Sequence, residues 1–170
     1  ATSFAWDLFV QAGDSKTSKA ALPTNDFKGN IVDAPNGDAD YGAPDGLWFD
    51  PLGRLWVQTD QNGTASGDWV NIGANCMVCV DPNTGMTRRF LTAPPRSEVT
   101  GITMSPDCRT LFVGIQHPGE GSPTGNPQLF SSWPASQWGV ASDGVTSLPF
   151  GRPRSGVVVI TKDDGGVIGS

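Results

Sequence analysis

A repeated β-hairpin is the feature that most restricts how this chain can fold. One copy begins at Gly46 and reads GLWFDPLGRLWV, and the other begins at Gly101 and reads GITMSPDCRTLFV, 55 residues further on. Each copy has a glycine, three strand-forming residues, a turn built on proline, an arginine and a second strand. The turns at 50–53 and 105–108 place Asp or Ser first and Pro second, as a type I turn prefers. The repeat predicts two similar hairpins in series.

A second hairpin is predicted after each copy. Residues 76–91 contain an apolar strand, the turn DPNTG and another strand, and residues 156–169 contain VVVI, the turn DDGG and VI. Four-stranded units at a period of about 40–50 residues are typical of β-propeller blades. We therefore predict an all-β fold, a partial β-propeller with about two four-stranded blades plus a leading strand within residues 1–10. A β-sandwich also strings hairpins together and is the alternative.

Composition supports an all-β fold and narrows the function. The chain has 22 glycines and 14 prolines, which long helices do not tolerate in their interiors. Its net charge of −6 argues against a nucleic-acid partner, which needs a basic face. Because no apolar run approaches the roughly 20 residues of a spanning helix, we predict no membrane span.

The three cysteines do not predict a disulfide framework or a zinc site. Cys76 and Cys79 form a C-x-x-C within a predicted strand, where residues three apart point to opposite faces. Cys108 leaves the number odd, and no second pair is present. We expect all three to act as small core residues.

Two blades cannot close a ring, because closed propellers have about four to eight. We expect residues 1–170 to be the C-terminal portion of a propeller domain. Missing N-terminal blades, or another copy of the chain, would then cover the open sheet edges. Residues 119–154 are predicted to form a long insertion loop, at least part of which packs through Trp133 and Trp138.

Two carboxylates stand just before the repeated strands. Asp45 precedes Gly46, and Glu98 lies shortly before Gly101, so the repeat predicts that they approach one channel mouth from neighbouring blades. Converging carboxylates suit a hard cation such as Ca²⁺. Turn formation at Asp45 and a structural role at Glu98 are the alternatives.

Three further residues near these strands are candidates for the site. Arg96 has a planar guanidinium that can bind phosphate in bidentate fashion, or pair with Glu98 or another acid. His117, the single histidine, suits a ligand, an acid/base group or a structural role. Glu120 is a candidate oxygen ligand.

Six motifs together resemble one known family, the PhoX alkaline phosphatases. They lie in order along nearly the whole chain: FAWDLF at 4–9, PDGLWFD at 44–50, GRLW at 53–56, RSEVTG at 96–101, QHPGE at 116–120 and DDGGVIG at 163–169. The resemblance implies a β-propeller enzyme that cleaves phosphate monoesters with a cofactor of calcium and iron ions. It also implies export by the twin-arginine route, and hence a periplasmic or extracellular location.

The resemblance also implies roles for individual residues. Asp45 and Glu98 would be metal ligands and Arg96 would hold the phosphate. The resemblance assigns Glu120 and His117 to the metal site less firmly. The family's N-terminal blades supply further ligands, so we expect the isolated chain to have little or no activity. A calcium-dependent lactonase-like propeller and a non-catalytic binding propeller are the alternatives. Arg96 favours the phosphatase, because a neutral lactone needs no phosphate clamp.

Overall fold

The computed structural model describes residues 3–6, 9–10, 12–13, 32–33, 40–61, 72–135 and 152–170. These residues form eight strands in two sheets. The strands are β1 (Val32–Asp33), β2 (Pro44–Phe49), β3 (Leu55–Thr59), β4 (Cys76–Val80), β5 (Met86–Thr92), β6 (Glu98–Met104), β7 (Thr110–Gln116) and β8 (Gly156–Thr161). Among the described residues, no helix has the length and apolar character needed to cross a bilayer. The all-β prediction is confirmed.

The first sheet has the order β1-β5-β4-β3-β2. Strands β2 to β5 form an antiparallel meander, and the short β1 adds to β5 in parallel. The two hairpins predicted for this blade are therefore confirmed, and together they make its four antiparallel strands.

The second sheet has the order β6-β7-β8, with antiparallel pairing throughout. It confirms the hairpin predicted from Gly101 and the strand predicted from Gly156. The prediction of a last strand at the end of the final hairpin is wrong, since residues 162–170 form turns instead of pairing with β8. The Ile168 amide donates to the Cys108 carbonyl at 2.9 Å, and the Ile168 side chain enters the core. This segment therefore closes the end of the sheet instead of extending it.

The prediction of a leading strand is also wrong for the residues that the structure describes. Residues 3–6 and 9–10 lie outside any strand, and Gly13 makes a single antiparallel bridge to Tyr41. Phe9 and Val10 instead pack against the core of the first sheet. Residues 1–2 and 7–8 lie outside the described part.

Two apolar clusters cover the two faces of the first sheet. Strand β4 alternates between them: Cys76, Val78 and Val80 belong to one cluster, and Met77 and Cys79 to the other. The second cluster also contains buried side chains of β6 and β7, so the two sheets pack face to face as neighbouring blades do. All three cysteines are free, and Cys76 and Cys108 are buried, as predicted for core residues.

The equivalent turns of the repeat have the same backbone requirement. Gly53 has a φ of 81° and Cys108, at the matching position, has a φ of 59°. In the first turn the Asp50 carboxylate accepts bonds from the Leu52 and Arg54 amides and from the Trp56 indole. These bonds join the turn to the core, because Trp56 is fully buried.

The predicted insertion loop is described at 119–135 and 152–154, where it contains turns and no strand. Trp133 packs against the second cluster, and its backbone carbonyl accepts a bond from the Arg154 amide at 3.0 Å. Part of the loop therefore packs, as expected. Trp138 lies outside the described residues.

Candidate active site

A buried asparagine joins the start of β6 to the first sheet. Asn75 Oδ1 accepts from Thr59 Oγ1 at 2.9 Å and from the Gln61 amide at 2.7 Å. Its Nδ2 donates to the Gln61 carbonyl at 3.1 Å and to the Ser97 carbonyl at 2.7 Å. All four hydrogen-bonding positions of one side chain are used, three on Thr59 and Gln61 and one on Ser97, the residue next to Glu98.

Glu98 is the first residue of β6 and is 7% exposed. Its Oε2 accepts from Gln116 Nε2 at 3.0 Å and contacts His117 Nε2 at 3.1 Å. Gln116 is its cross-strand partner on β7, so strand pairing itself brings these two side chains together. A buried carboxylate held on one oxygen leaves the other, Oε1, for a ligand.

The imidazole of His117 lies between two carboxylates. Nε2 faces Glu98, whereas Nδ1 lies 3.7 Å from Glu120 Oε2 and is a buried atom without a hydrogen-bond partner. The His117 amide donates to Ser155 Oγ at 2.9 Å, and the residue has a φ of 33°. Glu98 and Glu120 are therefore on opposite edges of the ring.

Arg96 is held close to this group with its guanidinium stacked on a ring. Its Cζ lies 3.3 Å from the centroid of Phe130, and Nη1 donates to the Glu120 carbonyl at 3.5 Å. The Gly119 amide bonds to the Pro95 carbonyl and the Glu120 amide to the Arg96 carbonyl, both at 3.0 Å. Within the described segments no ion pair joins Arg96 to Glu98, so the pairing considered from the sequence is not observed.

Asp45 lies on β2 at a bulge and is exposed. Two residues before it, the Ala43 carbonyl accepts from the Asp60 amide at 3.0 Å, next to Gln61 and the Asn75 network. This places Asp45 toward the same end of the sheets as Glu98, and β2 packs beside β6. A direct approach of the two carboxylates remains a prediction.

A cleft of about 340 Å³ lies along the 117–122 segment. Its walls include His117, Glu120, several prolines and Arg152. Arg152, Asn75, Phe130 and Ser155 were missed by the sequence reasoning. They come from distant parts of the chain and belong to no motif with a known spacing, so no local signal could have found them.

Comparison with known proteins places this arrangement in a family. The family model described as alkaline phosphatase PhoX matches residues 1–119. The chain belongs to the PhoX family. A solved structure of Pseudomonas fluorescens PhoX, in complex with the transition-state analogue vanadate, has 42% identity and a TM-score of 0.73. None of the curated proteins compared with the chain matches it.

The match covers 96% of this chain and 24% of the Pseudomonas PhoX chain. It therefore spans about a quarter of that PhoX.

The side chains of the described segments fit a metal centre only in part. Among them, no group of three or more His, Cys, Asp or Glu residues is placed to hold a metal ion. The His117 ring lies between Glu98 and Glu120. Glu98 and Asp45 can each offer carboxylate oxygens, the ligand type that Ca²⁺ takes, as single ligands of a site completed from elsewhere.

Proposed function

We propose that this chain forms part of the active site of a phosphatase that hydrolyses phosphate monoesters and requires calcium and iron ions. Asp45, Glu98 and Glu120 are its proposed metal ligands, and Arg96 is the proposed phosphate-binding residue. Membership of the PhoX family supports a phosphatase. The metals, the monoester substrate, export by the twin-arginine route and a periplasmic or extracellular location belong to the proposal.

One observation carries the proposal: a stacked arginine and a buried carboxylate stand two residues apart at the start of β6. The guanidinium of Arg96 has Phe130 on one face and no carboxylate partner in the described segments. Glu98 is almost fully buried, yet both of its bonds go to a single oxygen. An anionic substrate requires a cation that is not already paired with an acid, such as Arg96 within the described segments. A metal ion requires a carboxylate oxygen that accepts no other bond, such as Oε1 of Glu98 among the same residues.

The chemistry divides between the bound ions and this chain. The ions, when bound, orient the ester and stabilise negative charge on the transferring phosphoryl group. Arg96 donates two parallel N–H bonds to phosphate oxygens, and its stacking on Phe130 limits the rotamer entropy lost when it does so. Its φ of 51° is an uncommon backbone conformation, and the two backbone bonds to residues 119–120 hold the arginine in it.

The rest of the propeller is proposed to cover the outer face of the second sheet. Phe112, Val157 and Val159 line that face and are 37%, 68% and 58% exposed. Phe112 and Val159 are cross-strand partners, so these side chains form a continuous apolar stripe. A neighbouring blade, or another copy of the chain, would bury it.

The test is hydrolysis of an aryl phosphate by the full-length protein, with and without a chelator. We expect turnover to stop when calcium and iron are removed and to return when they are restored. Arg96→Ala should reduce kcat/KM by about 10²–10³-fold, the usual cost of losing one charge-stabilising donor. Arg96→Lys should recover only part of that loss, because lysine cannot bind two oxygens in one plane.

Arg88→Ala is the matched control, since Arg88 is exposed and its side chain hydrogen-bonds only Met86 Sδ among the described residues. It should hydrolyse the ester at the wild-type rate. Full turnover in the chelated protein, or unchanged kinetics in Arg96→Ala, would contradict the proposal. The isolated 170-residue chain should show little or no turnover in the same assay.

A further inference from the structure

We infer that His117 is a positioning residue that, together with Gln116, holds the Glu98 carboxylate in one orientation for its ligand. This inference rests on the proposed function of Glu98. It differs from the roles of metal ligand and acid/base group that the sequence suggested for His117.

The bonds to Glu98 converge on one atom. Gln116 Nε2 and His117 Nε2 both lie about 3 Å from Oε2, at 3.0 and 3.1 Å. A carboxylate oxygen only accepts, so we assign the His117 proton to Nε2. Two donors on Oε2 fix the plane of the carboxylate, and Oε1 accepts no bond from the described residues.

The histidine is itself held in place from two directions. Its amide donates to Oγ of Ser155, which lies 38 positions further along the chain, directly before β8. Gln116, the preceding residue, is fixed by pairing of β7 with β6 at Glu98. The ring therefore reaches Glu98 from a backbone that is anchored to both neighbouring strands.

Both ring nitrogens are shielded from a substrate. Nε2 is used by Glu98, and Nδ1 is buried. An acid/base group must reach the reacting atoms within hydrogen-bond distance, directly or through a water molecule. With Nε2 bonded to Glu98 and Nδ1 buried, the ring is placed to orient Glu98, and orienting a ligand carboxylate through an outer hydrogen bond is a common arrangement around metal sites.

Two substitutions separate positioning from the other roles. His117→Gln keeps an N–H donor close to the position of Nε2, whereas His117→Asn ends short of it. Asn tolerates a positive φ better than most residues, so His117→Asn should not fold less well for backbone reasons. Gln116→Leu removes the second donor to Oε2 and provides an independent variant.

The measurement is calcium binding to the metal-stripped full-length protein by calorimetry, followed by steady-state kinetics on an aryl phosphate. We expect His117→Asn and Gln116→Leu to bind calcium about 10–100-fold more weakly, the usual effect of losing an outer hydrogen bond. His117→Gln should stay close to wild type in both calcium affinity and kcat. Near-ultraviolet circular dichroism of each variant checks that the fold is retained.

Glu98→Gln distinguishes failure of this inference from failure of the proposed function. If Glu98→Gln binds calcium and turns over like wild type, the proposed function itself is wrong. If Glu98→Gln loses both while His117→Asn and Gln116→Leu keep both, the positioning role is wrong. Equal losses in His117→Gln and His117→Asn would also overturn it, because they would show that the ring itself is required.

Discussion

Replacing Asn75 with Asp tests how the start of β6 is attached to the first sheet. The two side chains have the same shape, so packing is preserved while the hydrogen bonds and the charge change. Oδ1 can still accept from Thr59 and Gln61, but the new oxygen replaces Nδ2 and faces two carbonyl oxygens. Those carbonyls belong to Gln61 and Ser97, now at 3.1 and 2.7 Å from another acceptor.

The expected cost follows from these two lost donors. Each lost hydrogen bond costs about 1 kcal/mol, and leaving a buried partner unpaired raises this to about 1–3 kcal/mol. Asn75 is 5% exposed, so water cannot easily replace them. We expect the local opening free energy to fall by about 2–4 kcal/mol, which corresponds to amide exchange roughly 30–1000-fold faster.

The assay is hydrogen–deuterium exchange of the full-length protein, followed on peptides that contain residues 59–61, 75–76 and 97–99. Asn126→Asp is the matched control, because it makes the same change of charge on an exposed turn. Exchange in Asn75→Asp equal to that of Asn126→Asp would refute the reasoning. It would mean that the apolar contacts between the sheets hold β6 without the asparagine.

Two further predictions concern ionisable groups. Burial raises the pKa of the Asp50 carboxyl, but the bonds from Trp56 and Arg54 outweigh it and leave the pKa below 3.8. Because the pKa of Asp50 is lower in the folded state than in the unfolded state, the ionised carboxylate stabilises the fold at pH values above the unfolded-state pKa. This stabilisation is lost as the pH falls through the folded-state pKa. Asp50→Asn should therefore lower the free energy of unfolding by about 2–4 kcal/mol near neutral pH and by less below about pH 4. Urea unfolding at both pH values checks this, and an equal cost at both would contradict it. Burial raises the pKa of the Cys79 thiol to about 11, so in the folded protein it should react with iodoacetamide at pH 9 roughly 50-fold more slowly than in urea. Equal rates of Cys79 labelling with and without urea, measured by mass spectrometry, would show that the thiol is not held protonated.

The strands that were predicted correctly from the sequence are those that flank a repeated turn pattern. The hairpin from Gly46 and the hairpin from Gly101 each contain a proline turn with a left-handed residue at its end, Gly53 or Cys108. Local chemistry of this kind acts within a few residues, so it can be read without the fold. The final strand was predicted wrongly from the same kind of pattern. Val167 and Ile168 are typical strand residues, but the Ile168 side chain is buried in the core and the segment does not pair with β8.

For the candidate site, the sequence by itself indicated candidate residues: Arg96, Glu98, His117 and Glu120 all lie in motifs that could be recognised. Only the tertiary structure decided how they are arranged. It put the His117 ring between the two glutamates, stacked Arg96 on Phe130 and bound Ser97 to Asn75. Several of them join distant residues: Glu98 and His117 are 19 positions apart, and Asn75 and Ser97 are 22 apart. Sequence spacing does not encode them, because they depend on strand pairing within the second sheet, on the packing of the loop after β7 and on the contact between the two sheets.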